Sequence, residues 1–198
     1  MSSKNSKSNS YWFPCAFPAT FPPISVPQGD GGSIIPFASG TPVVLTTDLN
    51  NLANNTGALL GFGSSINSVN VSGLTLNLGT GGILDYAFVV PRAGTVTSIG
   101  AFFSTTVTIQ LAAAVTIKAQ LYLAAPNSSI FSPVGTPVLL TPSLGPIIGI
   151  GENRNAVAPT AIPVSPGDKL LMVFSIDPTG LNLVSTVTGF ASAGITIS

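Results

Sequence analysis

Every odd position across residues 107–123 is apolar: Val107, Ile109, Leu111, Ala113, Val115, Ile117, Ala119, Leu121 and Leu123. The even positions carry Thr108, Gln110, Ala112, Ala114, Thr116, Lys118, Gln120 and Tyr122. A period of two sends successive side chains to opposite faces of a strand, so this stretch predicts β-structure with one buried and one more polar face. A single unbroken strand of that length would run about 55 Å, against a usual ~17–20 Å. A break or bend is therefore expected near residues 112–114.

Other segments obey the same rule. Val69 and Val71, then Leu74, Leu76 and Leu78, alternate with a change of phase at Gly73 that predicts a bulge or turn. Residues 85–90 form a run that ends at Pro91, and residues 95–104 form another that opens after Ala93-Gly94. Residues 170–176 are almost continuously apolar, as in a strand covered on both faces. They lie between two turn sequences, Ser165-Pro166-Gly167-Asp168 and Asp177-Pro178-Thr179-Gly180. The C-terminus alternates through Val187, Gly189, Ala191, Ala193, Ile195 and Ile197. The one helix candidate is a single turn over residues 47–53, with Thr47 or Asp48 as its cap. Many short strands with Gly/Pro turns predict an all-β sandwich or barrel.

A different kind of segment precedes this body. Phe13-Pro14, Phe17-Pro18 and Phe21-Pro22 repeat at a four-residue spacing, led in by Tyr11 and Trp12. Proline removes a backbone donor, blocks helix and pushes the residue before it toward extended geometry. The rings are thus expected on an extended chain that seeks a groove. Residues 1–10 are polar, and Gln28-Gly29-Asp30-Gly31-Gly32 makes a flexible hinge. The expected division is a flexible N-terminal Pro/aromatic connector arm over residues 1–33 and a folded domain over residues 34–198. Fully extended, residues 11–33 would reach roughly 70 Å at ~3.1–3.3 Å per residue, long enough to leave their own domain.

Charge narrows the function. Six Lys and Arg balance six Asp and Glu, His is absent, and charged residues make up 6% of the chain. A typical soluble domain carries about 25%. Nucleic acid, which needs clustered cations, is not expected as a partner, nor is a membrane approached through a basic helix. No apolar run reaches the roughly 18 residues of a membrane span, and the N-terminus lacks the apolar centre of a secretory signal. An almost chargeless surface promotes association, so much of it is expected to be buried in an assembly. Cys15 is the single cysteine and lies in the arm, either as a small buried residue or as a bridge between chains.

Catalytic chemistry finds little footing. Without His there is no imidazole base and no Ser-His-Asp arrangement. Asp168 and Asp177 lie in turns, and nothing places Asp85 beside Glu152 as a glycosidase pair would need. Asp48 with Asn50 and Asn51 is a weak calcium cluster, and Gly79, Gly81 and Gly82 lack the Lys and helix of a phosphate loop. Glycosylation sequons occur at Asn54, Asn70 and Asn127. The expectation is no enzyme, no catalytic residues, no metal and no cofactor.

Residues 85–99, with the sequence Asp85-Tyr86-Ala87-Phe88-Val89-Val90-Pro91-Arg92-Ala93-Gly94-Thr95-Val96-Thr97-Ser98-Ile99, resemble the core of the C-terminal domain of BclB-type exosporium glycoproteins of spore-forming bacilli. So do Leu170-Leu171-Met172-Val173-Phe174-Ser175, the opening Ile34-Ile35-Pro36-Phe37-Ala38-Ser39-Gly40 and the end at residues 187–198. The likeness covers residues 34–198 in order. It implies a jelly-roll β-sandwich similar to the tumour-necrosis-factor and complement heads, a homotrimer at the spore surface, and no catalytic residues. In that family the head sits on a collagen-like stalk, whereas this chain has no Gly-x-x repeat. It looks like the core subunit of a bacillus endospore appendage fibre, in which trimers stack.

The expected function is thus structural: a trimer polymerising head to tail, its arm residues Tyr11, Trp12, Phe13, Cys15, Phe17 and Phe21 docked in the adjacent trimer. Burying five such rings yields roughly 8–15 kcal/mol, and ordering about a dozen residues costs a similar sum. One arm is marginal, and three acting together gain by effective concentration. A spore-surface anchor protein and a tip protein are the further partners expected. The alternative is a trimeric glycan- or receptor-binding head on the exosporium surface, which an exposed aromatic patch near Tyr122 or Phe131 would favour.

Overall fold

A computed structural model of the chain describes residues 32–48, 55–72, 75–79, 86–111, 114–177 and 184–198. Their strands, in chain order, are β1 (Ser33–Ala38), β2 (Val43–Thr47), β3 (Thr56–Leu60), β4 (Ser65–Asn70), β5 (Leu76–Asn77), β6 (Phe88–Val89), β7 (Gly94–Thr105), β8 (Ile109–Gln110), β9 (Thr116–Ala124), β10 (Ile130–Leu139), β11 (Ile147–Ile148), β12 (Asn153–Val164), β13 (Lys169–Asp177) and β14 (Ser185–Ile197). No helix occurs among the described residues, and all pairings between these strands are antiparallel.

The strand order identifies the architecture. One sheet runs β1–β14–β7–β12 and the other β3–β13–β9–β10, and among the described strands the β2–β3 pair Thr46↔Thr56 connects them, with isolated bridges at Ala38↔Phe62 and Thr141↔Asn155. Number these eight strands by their order along the chain. The first then lies beside the last, the second beside the seventh, the third beside the sixth and the fourth beside the fifth. A long antiparallel ribbon rolled over its own core gives that order, which is the double Greek key of a jelly roll. β2 prolongs β1 along the same edge of β14: Ser33–Ala38 faces Ile197 to Ser192, and Val43–Thr47 faces Gly189 to Ser185.

The core forms where alternation on the two sheets meets. Phe37 of β1, Phe103 of β7, Leu121 of β9, Phe174 of β13 and Ile195 of β14 all point into it and are essentially solvent-free. A second cluster lies on the other side of the β3–β13–β9–β10 sheet. There Leu59, Tyr122, Phe131, Leu171 and Val173 pack under Val69 of β4 and Leu76 of β5. This explains β13: Leu170, Met172 and Phe174 enter the sandwich while Leu171 and Val173 enter the second cluster. A strand covered on both faces has no polar side to show.

The long alternation of residues 107–123 divides as expected, into β8 and β9. The more polar face expected of it does not persist. Gln120, Tyr122 and Ala124 are buried, because β9 is an inner strand of its sheet and the second cluster covers its outer side. The turn before β13 forms as its sequence predicts: Gly167 is left-handed at φ +87°, and Asp168 Oδ2 accepts the Ser165 N–H at 2.7 Å. Thr47 closes β2 instead of capping a helix, and its hydroxyl donates to Asn55 Oδ1 at 3.2 Å. Asp48, the other expected cap, follows β2 as a buried residue outside any helix, its N–H donated to Asn55 Oδ1. Residues 49–53 of that helix candidate, the phase change at Gly73 and the Pro178-Thr179-Gly180 turn lie outside the described residues.

Candidate assembly surfaces

The arm residues Tyr11, Trp12, Phe13, Cys15, Phe17 and Phe21 lie outside the described residues. What the described body offers to a partner is therefore the question. Its most distinctive surface is the outer face of the β1–β14–β7–β12 sheet.

Alternation decides which side chains stand on that face. In β7, Ile99, Ala101 and Phe103 point to the core, so Ser98, Gly100, Phe102 and Ser104 point out. In β14, Val187, Ala191 and Ile195 point in, leaving Thr188, Phe190, Ser192, Gly194 and Thr196 outside. In β12, Asn155, Val157, Pro159 and Ala161 are outside. None of these outward residues is charged. Val157 is 79% exposed, Phe190 46% and Phe102 38%, on three adjacent strands of one face. Two pairs of hydroxyls along it bond one another: Ser98 Oγ donates to Thr196 Oγ1 at 3.1 Å, and the Thr46 and Thr186 hydroxyls are 3.1 Å apart. Polar atoms satisfied within the face lower the cost of taking it out of water.

The centre of the face is a notch. Gly194 lies opposite Gly100, and Gly100 lies opposite Val157. Together with Phe102, Asn155 and Ser192 they line a shallow depression of about 350 Å³. Nothing among the described residues demands glycine at either position. A Cβ on Gly100 would sit 3.6 Å from Val157 Cγ2, and one on Gly194 would sit 3.9 Å from the Ile35 carbonyl, both ordinary contacts. Neither residue has a positive φ. Contrast Gly57, where a Cβ would come within 2.5 Å of the Phe174 carbonyl. Glycine weakens a strand, and in a strand interior it often marks a place where another backbone or a ligand approaches closely.

A second surface lies at one end of the sandwich, built around Thr105. Its hydroxyl donates to the Gly149 carbonyl at 2.7 Å and accepts the Glu152 N–H at 3.0 Å. Its carbonyl accepts the Gly151 N–H at 2.8 Å, and Gly151 takes the left-handed φ of +79° that the turn needs. Glu152 Oε1 accepts the Gly149 N–H at 2.7 Å, and Glu152 Oε2 meets Arg154 at 2.7 Å. These bonds, the backbone one first and the guanidinium second, hold the Glu152 carboxyl below its usual pKa. Residues 149–152 are thus a braced turn.

The other sequence candidates fall into place separately. Asp168 serves its turn, and Glu152 serves the brace with Arg154 as its partner. Asp85, Asn50, Asn51, Asn54, Gly81 and Gly82 lie outside the described residues. Asn70 is exposed at the end of β4, where its side chain accepts the Ser72 N–H at 3.0 Å, and Asn127 is exposed in the β9–β10 turn. Tyr122 and Phe131, expected as an exposed aromatic patch, are 6% and 0% exposed. They belong to the second core cluster, so the support they would lend to a glycan-binding head is withdrawn. Burial raises the Tyr122 phenol above its usual pKa. Sequence reasoning missed the Gly100, Gly194, Phe102, Phe190 and Val157 face. The available signal was two glycines inside otherwise strand-like alternation.

No protein family model matches the chain. Collagen-like protein 1 of Acanthamoeba polyphaga mimivirus is 34% identical over 180 residues, covering 84% of this chain and 19% of that protein. The chain thus spans less than a fifth of the curated relative it matches. A chain in the structure of infectious bursal disease virus Gx strain is similar at a TM-score of 0.34 and 12% identity, over 85% of this chain and 32% of that one. That likeness is too low to bear on the fold, which stands on the strand order.

Proposed function

We propose that the protein is a structural subunit that assembles with copies of itself. Three copies close into a homotrimer through the outer face of the β1–β14–β7–β12 sheet. Trimers polymerise head to tail into a fibre as the arm of residues 1–33 docks into the adjacent trimer. The observation that carries this reading is the notch at Gly100 and Gly194: two strand glycines that no contact among the described residues requires, in the middle of an uncharged face. A partner's side chains seated there would supply the missing reason.

Three further points support it. The name of the mimivirus relative implies a collagen-like triple helix, which winds three chains together and brings any domain on them into threes. The zero net charge of the chain favours association over solubility. A heterologous contact such as an arm entering the next copy does not close on itself and generates an open filament. Placement at a spore surface, with an anchor and a tip protein as partners, rests on the resemblance to exosporium proteins. On this reading the chain is no enzyme and works without a cofactor.

The test uses the full-length chain. Sedimentation and negative-stain imaging of the purified protein are expected to show fibres built of trimers. The variant Phe13→Ser/Phe17→Ser/Phe21→Ser is expected to stop at discrete trimers. Abundant long fibres from that variant would remove the arm from the account, and a monomeric wild type would remove the trimer.

A further inference from the structure

We infer that the surface receiving the arm is the apolar tip of Val107, Ile147 and Ile150, at the end of the sandwich opposite to where the arm joins it. The inference rests on the head-to-tail reading above and adds the address at which the arm lands.

The two ends are distinguished by register. The chain enters the body at Gly32, beside Ser33, which pairs with Ile197 of β14. Thr95 exchanges backbone bonds with Ser198 at that same end. From there β7 runs from Gly94 to Thr105, and at ~3.4 Å per residue its 12 residues carry the fold roughly 40 Å away. Thr105 is the anchor of the braced turn, and the Thr106 N–H bonds Thr188, so Val107 and Ile150 flank one anchor. Ile147 pairs with Gln110 in the β8–β11 ribbon of the same loops.

These three side chains are unusually bare for their size: Ile147 is 72% exposed, Ile150 71% and Val107 40%. Ile150 stands at the apex of the turn that Thr105, Glu152 and Arg154 hold from behind. A tip braced in that way loses little freedom when covered, so more of the burial energy appears as affinity. Its chemistry suits the arm. Glu152 and Arg154 neutralise each other beneath the tip, and residues 11–27 carry no charge at all.

A rival apolar site sits at the near end, a crevice of about 80 Å³ lined by Ile35, Phe88, Val90 and Pro91 among others. Symmetry separates the two. An arm seated in a partner's near-end crevice lies where the partner's own arm begins, so the exchange can be returned and the pair closes. An arm seated on the far tip cannot be returned by the same partner, and the stack stays open.

Trp12 is the only tryptophan in the chain, so its emission reports the arm alone. The full-length wild type, Ile147→Ser/Ile150→Ser, Val107→Asn and the Phe13→Ser/Phe17→Ser/Phe21→Ser arm variant are compared by tryptophan emission, sedimentation and imaging. Expected are a blue-shifted Trp12 in wild-type fibres and, in both tip variants, a shift to the emission of a water-exposed indole with loss of fibres and retention of trimers. Val107→Asn lies outside the braced turn, so agreement between the two tip variants excludes misfolding of that turn as the cause. Fibres with blue-shifted Trp12 in the tip variants, alongside loss of fibres in the arm variant, would overturn the address and leave the head-to-tail reading standing. Fibres in the arm variant as well would overturn that reading and the inference together. Water-exposed Trp12 within wild-type fibres would also overturn the inference.

Discussion

Gly100→Leu is expected to leave the subunit folded and take the trimer apart. Within the subunit the new Cβ meets Val157 Cγ2 at 3.6 Å and the Gly194 carbonyl at 4.0 Å, which are ordinary contacts, and the backbone there is not left-handed. Replacing a strand glycine also removes an entropic penalty of about 0.5–1 kcal/mol, so the lone subunit is at least as stable. In the trimer the same side chain enters the depression of about 350 Å³ that a partner is proposed to fill. Overpacking costs about 1–3 kcal/mol at each site, hence roughly 3–9 kcal/mol over three equivalent sites. The concentration of half-dissociation for a trimer follows the square root of its dissociation constant. It is therefore expected to rise about 10-fold to 10³-fold. A dilution series in the analytical ultracentrifuge reads this directly, with a thermal melt of the dissociated chain as control. An unaltered dissociation range would refute the interface. A large loss of stability in the lone subunit would refute the argument from internal contacts.

Gly189→Ala, unlike Gly100→Leu, is expected to destabilise the subunit by about 3 kcal/mol in urea unfolding. Its Cβ would be driven onto the Ser104 carbonyl and within 2.5 Å of Phe103 Cε1, and a neutral result would contradict the packing described. Phe103→Ala is expected to cost about 3–5 kcal/mol of folding stability, whereas Phe190→Ala on the outer face should cost well under half of that and weaken self-association instead. Equal losses for the two would mean that inside and outside have been assigned wrongly. Because the Gly149 N–H and Arg154 lower the Glu152 pKa, the stabilisation from the brace is present above the unfolded carboxyl value and lost as pH falls through the folded one. The protection factor of the Gly149 amide, its exchange relative to the intrinsic rate at the same pH, is therefore expected to fall as the carboxylate protonates and to change little with acid in Glu152→Gln. Protection that does not change with acid in the wild type would contradict the brace.

Much of the fold can be recognised in the residues. β7, β13 and β14 coincide with runs whose period and flanking turns announce strands, and the split of residues 107–123 follows from strand length alone. What alternation cannot convey is what lies above a face. Tyr122 and Gln120 occupy the more polar side of β9, yet they are buried, because β4 and β5 come from elsewhere in the chain to cover that side. The same blindness hides the proposed assembly face. Gly100 and Gly194 in isolation suggest a bulge or a flexible point, and only the folded strands show that a Cβ at either would meet nothing closer than an ordinary contact among the described residues. The arm shows the opposite case. Its Phe-Pro rhythm is plain in the chain, but its partner is not written beside it, and the apolar tip opposite is assembled from the loops after β7 and β10.

Electron cryo-microscopy of the purified full-length protein tests the central claim most directly. The account predicts three copies about one axis, with Gly100, Gly194 and Phe102 of each pressed against a neighbour, and such rings stacked in file. Isolated subunits with that uncharged face open to water would contradict it.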